Sequence, residues 1–211
     1  MDANGAGVQL NALLTDAGLE PLDQQTLSQF EAYILLYIRW NARINLSAIR
    51  DEKSIISRHI IESIEFALYL PQSISTLLDF GSGAGLPGIP IALCCPQIAV
   101  TLAESQGKKA AFLQEAVRTL GIPAKVHAGR AETLRAVFDC VVLRAVDKMP
   151  KAVSAAARLV GPEGYLALMT TISRLDELKR AAGAGCTFAS PALLLGSQER
   201  VIVLAQRRRG D

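Results

Sequence analysis

The sequence contains few cysteines and few aromatic residues, with four Cys among 211 residues and 5% Phe, Trp and Tyr. Cys94 and Cys95 are adjacent, whereas Cys140 and Cys186 stand alone, so the chain has no C-x-x-C pair of the kind that binds structural zinc. We therefore expect no metal site and interpret the four cysteines as small, buried apolar residues.

The sequence also lacks a long apolar run and a strong excess of charge of one sign. No segment of about 18 uninterrupted apolar residues is present, and the first residues do not have the basic and apolar regions of a secretory signal. Both absences predict a cytoplasmic protein without a membrane span. Twenty-two Lys and Arg against 20 Asp and Glu give a net charge of +2, so any contact with nucleic acid must come from a local basic patch.

Half of the residues are hydrophobic, and their spacing changes near residue 71. Before that point, apolar residues recur at helical spacing in segments 10–17, 27–38 and 52–70. After it, short apolar runs alternate with helical stretches, which is typical of a parallel sheet with crossover helices. We therefore predict an N-terminal helical cap over residues 1–70 and an α/β domain over residues 71–211.

The predicted sheet consists of apolar strands that helices are expected to cover on both faces. The candidate strands are residues 76–80, 99–103, 124–128, 139–143, 164–169 and 200–205. The candidate helices of this half are residues 90–95, 107–120 and 151–160. This order predicts a Rossmann-like α/β fold with a mainly parallel central sheet.

The most informative segment is an apolar strand that runs into a glycine-rich turn. The strand ends with Asp79 and Phe80, and glycines follow at positions 81, 83, 85 and 88. Glycine tolerates positive φ angles and places no side chain beside the turn, so a ligand can approach the backbone closely. We interpret Asp79, Gly81 and Gly83 as contacts of a nucleotide-like cofactor.

Glu104 follows the next predicted strand, at roughly the 20-residue spacing expected of an acid that binds ribose hydroxyls. At the carboxyl end of that strand its carboxylate would lie beside the glycine turn, where it can accept both hydroxyl protons. The other interpretation of Glu104 is an exposed carboxylate that caps the following helix.

Three functions fit this cofactor region. Gly83-x-Gly85-x-x-Gly88 satisfies the dinucleotide fingerprint, which keeps an NAD-dependent oxidoreductase open. Gly81-x-Gly83-x-Gly85 after an acidic strand end suits S-adenosylmethionine better, and no Tyr-x-x-x-Lys pair is present. A non-catalytic protein that binds a nucleotide or RNA is the third alternative.

Further motifs accompany the glycine loop along most of the chain. They are WNARINLSAIR at 40–50, RHIIES at 58–63, ESQGKK at 104–109, GRAE at 129–132 and Arg144-Ala145. Together these motifs resemble one family, the bacterial 16S ribosomal RNA (guanine-7-)methyltransferases, also called RsmG or glucose-inhibited division protein B.

The resemblance implies a class I methyltransferase that transfers a methyl group from S-adenosylmethionine to the seven-position nitrogen of a guanosine in 16S ribosomal RNA. It implies cofactor contacts at Gly81, Leu86, Ala131, Glu132 and Arg144. Ala131 would act through its backbone, Glu132 would contact the adenine, and Arg144 would lie where cofactor and substrate meet, as a positioning residue. The implied partner is 16S ribosomal RNA, a small ribosomal subunit or an assembly intermediate.

Basic residues near these motifs are candidates for RNA binding. They are Arg39, Arg43, Arg50, Arg58, Lys108 and Lys109. Solvated helix faces are the alternative for all six. We expect Trp40 to lie in the core and His59 and His127 to be structural.

The site requires no catalytic dyad if the acceptor is the seven-position nitrogen of guanine, because that atom has a free lone pair and no proton. Catalysis can then depend on placement, and we leave the catalytic residues unassigned. The chain departs from the family pattern at Glu62, Leu143 and Thr170-Thr171, and segment 172–196 is short. These departures affect the expected details of RNA docking, and a monomer is slightly favoured.

Overall fold

The computed structural model describes residues 4–49 and 51–209. Its α-helices are α1 (Asn4–Asp16), α2 (Gln24–Ile44), α3 (Glu52–Ile55), α4 (Glu62–Leu68), α5 (Gly88–Cys94), α6 (Gly107–Leu120), α7 (Met149–Ala157) and α8 (Leu175–Ala182). Its strands are β1 (Thr76–Phe80), β2 (Ala99–Ala103), β3 (Lys125–His127), β4 (Phe138–Arg144), β5 (Val160–Thr171), β6 (Cys186–Phe188), β7 (Ala192–Leu193) and β8 (Arg200–Arg207). Short 3-10 turns occupy Ala131–Thr133 and Ile172–Arg174.

The strands form one sheet in the order β3-β2-β1-β4-β5-β8-β6, with β7 also paired to β8. Strands β1 to β5 run parallel, whereas β8 is antiparallel to β5, β6 and β7. The predicted mainly parallel sheet is therefore confirmed. The chain order reverses at β1, which pairs β2 on one side and β4 on the other, and ligands of such sheets bind at the carboxyl ends beside that point.

Alternate strand residues pack into two apolar layers, one on each face of the sheet. Leu77 faces a layer with the N-terminal helices, α5 and α6, whereas Leu78 faces a layer with α7 and α8. Residues of α1 and α2 such as Leu10 and Phe30 are fully buried in the first layer. The N-terminal helices thus share a core with the sheet, and the boundary near residue 71 stays a prediction.

The third predicted helix, over residues 52–70, is interrupted by a π-helical segment at Ile56–Ile61. This segment lies between α3 and α4, and Ile56, Ile60 and Ile61 remain buried on one side of it. A π-helix bonds residue i to residue i+5, and such segments are rare and frequently lie at functional sites. Apolar spacing predicts a helix here but does not distinguish the wider π turn.

One predicted helix in the second half of the chain is too long, and three elements there were not predicted. The predicted helix 151–160 ends early, because Val160 already pairs with Phe138 as the first residue of β5. The sequence did not predict β6, β7 or α8, since β6 and β7 have only three and two residues and show no periodicity.

Within residues 4–49 and 51–209, no helix is long and apolar enough to cross a membrane. No group of three or more His, Cys, Asp or Glu side chains in this part of the chain is arranged to hold a metal ion.

Candidate active site

The glycine loop lies at the carboxyl ends of β1 and β2, where the sheet order reverses. Gly81, Gly83 and Gly85 have φ angles of 74°, 57° and 83°. A side chain is strained at such angles, so the loop requires glycine at these positions. The backbone amides of Gly81 and Ser82 both donate to Ala103 O, at 3.0 and 2.9 Å, and thereby fasten the loop to the end of β2.

The four glycines of the loop region have different surroundings. Gly81 and Gly83 line a cavity, whereas a Cβ atom on Gly85 would lie 2.4 Å from Ile89 Cδ1. A Cβ atom on Gly88 would lie 2.3 Å from Leu102 Cδ2. Gly85 and Gly88 therefore permit close packing, and Gly81 and Gly83 leave room for a ligand.

Two buried side chains support the loop from below. Tyr33 on α2 donates from its hydroxyl to Ala84 O at 2.6 Å. Asp79, which is 1% exposed, accepts from the backbone N–H of Gly88 at 3.0 Å. Burial raises the pKa of Asp79 to about 7. Asp79 thus lies beneath the loop in a supporting position, and its predicted cofactor contact stays a prediction.

Glu104 closes the other side of the loop. Its carboxylate accepts from Gly83 N at 2.9 Å and from Gln106 N at 2.7 Å, and the residue is 6% exposed. The alternative of an exposed capping carboxylate is therefore wrong. Each carboxylate oxygen can accept more than one hydrogen bond, so Glu104 retains acceptor capacity toward the cavity that it lines.

Two adjoining cavities extend along the strand ends. The loop cavity, of ≈ 390 Å³, is lined by Gly81, Gly83, Leu86, Glu104, Lys109 and Arg144, among others. The outer cavity, of ≈ 370 Å³, is lined by Ala131 and Glu132 and shares Gly81, Ser105, Gln106, Val146 and Asp147 with the loop cavity. Together they form a continuous groove that contains all of the predicted cofactor contacts except Asp79.

Arg144, the last residue of β4, is clamped against the π-helical segment. Its guanidinium donates to the backbone carbonyls of Arg58 at 2.6 Å and His59 at 3.1 Å, and to Ser63 Oγ at 2.9 Å. It also contacts His59 Nδ1 and Glu62 Oε2, each at 3.0 Å. Burial lowers the pKa of Arg144 to about 10, so the side chain remains a cation at neutral pH.

His59 is neutral, and both of its ring nitrogens have hydrogen-bond partners. Burial, together with the charge of Arg144, lowers the pKa of His59 to about 4. Because Nδ1 accepts from Arg144, the ring proton belongs on Nε2, which lies 3.0 Å from Ser47 Oγ. The structural role predicted for His59 agrees with these contacts, although its place beside Arg144 was not predicted.

Glu62 links Arg144 on β4 to Arg200 on β8, two strands away in the same sheet. Its Oε2 binds Arg144, and its Oε1 binds Arg200 at the start of β8. These residues surround a third cavity, the arginine cavity, of ≈ 260 Å³. Sequence reasoning missed Glu62 and Arg200 because the three partners are separated by 82 and 138 residues.

The predicted RNA-binding residues that the structure describes lie on α2, the π-helical segment and α6, and their contact with RNA stays a prediction. Arg58 lines the arginine cavity and Lys109 the loop cavity, whereas Lys108 and Arg43 are exposed elsewhere. Arg39 pairs with Glu115 on α6 at 2.6 Å. Arg50 lies outside the described residues.

Trp40 packs against the core, as predicted. Its ring lies 5.8 Å from that of Phe112 in an edge-on arrangement. Its Nε1 donates to Glu115 Oε2 at 3.2 Å.

The chain is similar to proteins of one family over most of its length. A family model described as rRNA small subunit methyltransferase G matches residues 26–192. A ribosomal RNA small subunit methyltransferase G of Xanthomonas campestris pv. campestris (strain B100) is 36% identical over 170 residues, 79% of each chain. The protein of the same name from Xylella fastidiosa (strain M23) is 42% identical over 151 residues, 70% of each chain.

Solved structures with low sequence identity share the fold. A putative O-methyltransferase from Klebsiella pneumoniae has a TM-score of 0.63 and 17% identity, covering 94% of this chain and 95% of that one. Magnesium protoporphyrin IX methyltransferase from Synechocystis PCC 6803, solved with bound SAM, has a TM-score of 0.60 and 18% identity. The match covers 88% of this chain and 98% of that one. The predicted class I methyltransferase fold is confirmed.

Proposed function

The chain belongs to the rRNA small subunit methyltransferase G family, and from this we propose that it methylates the seven-position nitrogen of a guanosine in 16S ribosomal RNA. It is an S-adenosylmethionine-dependent methyltransferase that acts on ribosomal RNA. The NAD-dependent oxidoreductase and the non-catalytic binding protein are not favoured.

The groove formed by the loop and outer cavities suits S-adenosylmethionine. Gly81 and Gly83 leave the loop backbone open to a ligand, and a Cβ atom on Gly81 would crowd Val146 at 3.3 Å. Glu104 would hold the ribose, and Ala131 and Glu132 would hold the adenine in the outer cavity. When bound, the cofactor supplies an electrophilic methyl group on a positively charged sulfur.

One observation supports a nitrogen acceptor that needs no general base. His59 and Glu62, the titratable side chains bonded to Arg144, are both committed to other partners: His59 to Arg144 and Ser47, Glu62 to Arg144 and Arg200. Neither is free to remove a proton. Arg144 instead lines both the loop cavity and the arginine cavity, in a position fixed by its hydrogen bonds. This chain therefore contributes placement, which in well-oriented systems supplies about 7–11 kcal/mol.

We assign the modified RNA to the small ribosomal subunit, either as 16S RNA or within an assembly intermediate, and place the protein in the cytoplasm as a monomer. Labelled S-adenosylmethionine incubated with small subunits that lack the modification tests the reaction. Digestion of the RNA should yield label in 7-methylguanosine. Label in methylated cytidine, adenosine or ribose would contradict the acceptor, and no label in any ribosomal RNA would contradict the function.

A further inference from the structure

The arginine cavity adjoins the loop cavity directly. The two share His59, Arg144 and Ala145 as lining residues. Met149 and Met169, both nearly buried, give the arginine cavity an apolar surface. At ≈ 260 Å³ it is smaller than the roughly 300–1,000 Å³ of sites for drug-sized ligands, and is better matched to a single base than to a second cofactor.

The cavity carries an excess of positive charge. Arg58, Arg144, Arg174 and Arg200 line it, and Glu62 is the one carboxylate among the described lining residues. Both oxygens of Glu62 are already bound, to Arg144 and to Arg200. Arg58 and Arg174 therefore face the cavity without a carboxylate inside it.

The remaining charges repel one another. Burial is the main cause of the lowered pKa values of Arg200 and Arg144. The positive charge of Arg58 lowers both pKa values further. Arg174 has an exposed contact with Glu177 at 3.7 Å, and exposed pairs of this kind contribute little. An anion placed among these guanidinium groups would relieve the repulsion, and phosphate oxygens match the forked geometry of arginine.

We propose that the arginine cavity receives the acceptor nucleotide of the RNA, with its phosphate between Arg58 and Arg174 and its base against Met149 and Met169. This proposal rests on the proposed function and adds a place for the substrate. Because the two cavities share His59, Arg144 and Ala145, a base held there lies next to the cofactor groove, with Arg144 at the junction. Thr170 and Thr171, which also line the cavity, offer hydroxyl donors to the ligand.

Binding of single nucleotides tests the site without turnover. Guanosine 5′-monophosphate and guanosine are titrated by calorimetry into protein saturated with S-adenosylmethionine, so that the cofactor groove is blocked. The monophosphate should bind about tenfold or more tightly than the nucleoside, because charge-assisted hydrogen bonds hold the phosphate. The difference should disappear in the Arg58→Ala Arg174→Ala variant. Equal affinity of the two ligands for the unchanged protein would overturn the proposal.

Kinetics with small ribosomal subunits provide a second test, with Arg158→Ala as the control. Arg158 is an exposed arginine at the end of α7 and lines none of the three cavities. Arg58→Ala and Arg174→Ala should each raise the KM for RNA roughly three- to tenfold, with kcat and the Kd for S-adenosylmethionine nearly unchanged. The control should match the unchanged protein.

The two proposals fail in different ways. If the unchanged protein methylates ribosomal RNA and both arginine variants keep its KM, the cavity assignment is wrong and the function stands. If the unchanged protein methylates no ribosomal RNA, the function is wrong, and nucleotide binding still decides whether the cavity holds a phosphate.

Discussion

At the scale of single residues, Glu104 is expected to serve both the loop and the ligand. Its carboxylate binds Gly83 N and Gln106 N, and we predict that it also binds the ribose hydroxyls. Loss of charge-assisted bonds of about 1.5–3 kcal/mol should weaken S-adenosylmethionine binding roughly ten- to a hundredfold in Glu104→Ala. Glu104→Gln, which keeps one acceptor oxygen, should bind S-adenosylmethionine with an affinity between those of the unchanged protein and Glu104→Ala. An unchanged Kd by calorimetry in a folded Glu104→Ala variant would exclude the ribose contact.

Arg144 combines a functional position with a structural one. From the sequence alone we would expect Arg144→Ala to lower methyl transfer and leave much of the fold intact. In the structure, however, its guanidinium binds five acceptors on the π-helical segment and α4. Removing one partner of a buried ion pair costs about 3–5 kcal/mol. We therefore predict that Arg144→Ala loses both activity and a similar free energy of unfolding in urea.

Arg144→Lys separates the two effects, because it retains the charge but has only three donors. It should be less destabilised than Arg144→Ala and still impaired in methyl transfer. An Arg144→Ala protein that unfolds at the original urea concentration would mean that the clamp does not contribute to stability.

Asp79 predicts a dependence of stability on pH. Burial raises its pKa to about 7, from 3.8 in the unfolded chain, so between these values the folded protein binds the proton more tightly. The resulting stabilisation is present at low pH and is lost as pH rises toward about 7. Relative to Asp79→Asn, the unchanged protein should lose free energy of unfolding from pH 4.5 to 7 and then level off. A difference that does not vary with pH would contradict this.

At the scale of elements, α2 should influence cofactor binding through Tyr33. The hydroxyl of Tyr33 is a buried bond between this helix and the glycine loop, at Ala84 O. Tyr33→Phe removes the donor and leaves the carbonyl unpaired, which costs about 1–3 kcal/mol. We predict lower stability and several-fold weaker S-adenosylmethionine binding, measured by urea denaturation and calorimetry. Tyr69→Phe, at an exposed tyrosine, is the matched control and should change neither.

Local patterns account for what the sequence predicted at this scale. β1 and β2 have the predicted bounds. Each strand is an apolar run, and its end is marked by the residue that follows, which is Gly81 after β1 and Glu104 after β2. The π-helical segment was not predictable, since the isoleucines at 55, 56 and 60 satisfy the spacing of an ordinary helix. The contact between Arg144 and Glu62 was missed for a different reason. The fold brings the two residues together, and no motif in the sequence around either one indicates the other as its partner.

At the scale of the whole molecule, the choice between cofactors predicts a difference in thermal stability. A ligand that binds only the folded state adds about 2.7 kcal/mol at 100 times its Kd. In a domain of this size 1 kcal/mol shifts Tm by roughly 2–4 °C, so saturating S-adenosylmethionine should raise Tm by about 5–10 °C. NAD at the same concentration should have no effect. The reverse result would restore the oxidoreductase interpretation.

The π-helical segment also has a consequence for which changes of chain length the protein tolerates. Each residue of an α-helix advances the chain by about 100° around the axis, and the wide turn at Ile56–Ile61 accommodates one residue more than an α-turn. Deleting a single residue there would restore regular winding with α3 and α4 in nearly the same mutual orientation, and it would draw the carbonyl groups of the wide turn into a narrower α-turn. The carbonyls of Arg58 and His59 would then point away from Arg144. Substitutions on the solvent side of Ile56–Ile61 should therefore be tolerated. A change in the number of residues there should not be tolerated, because Arg144 binds the carbonyls of this segment.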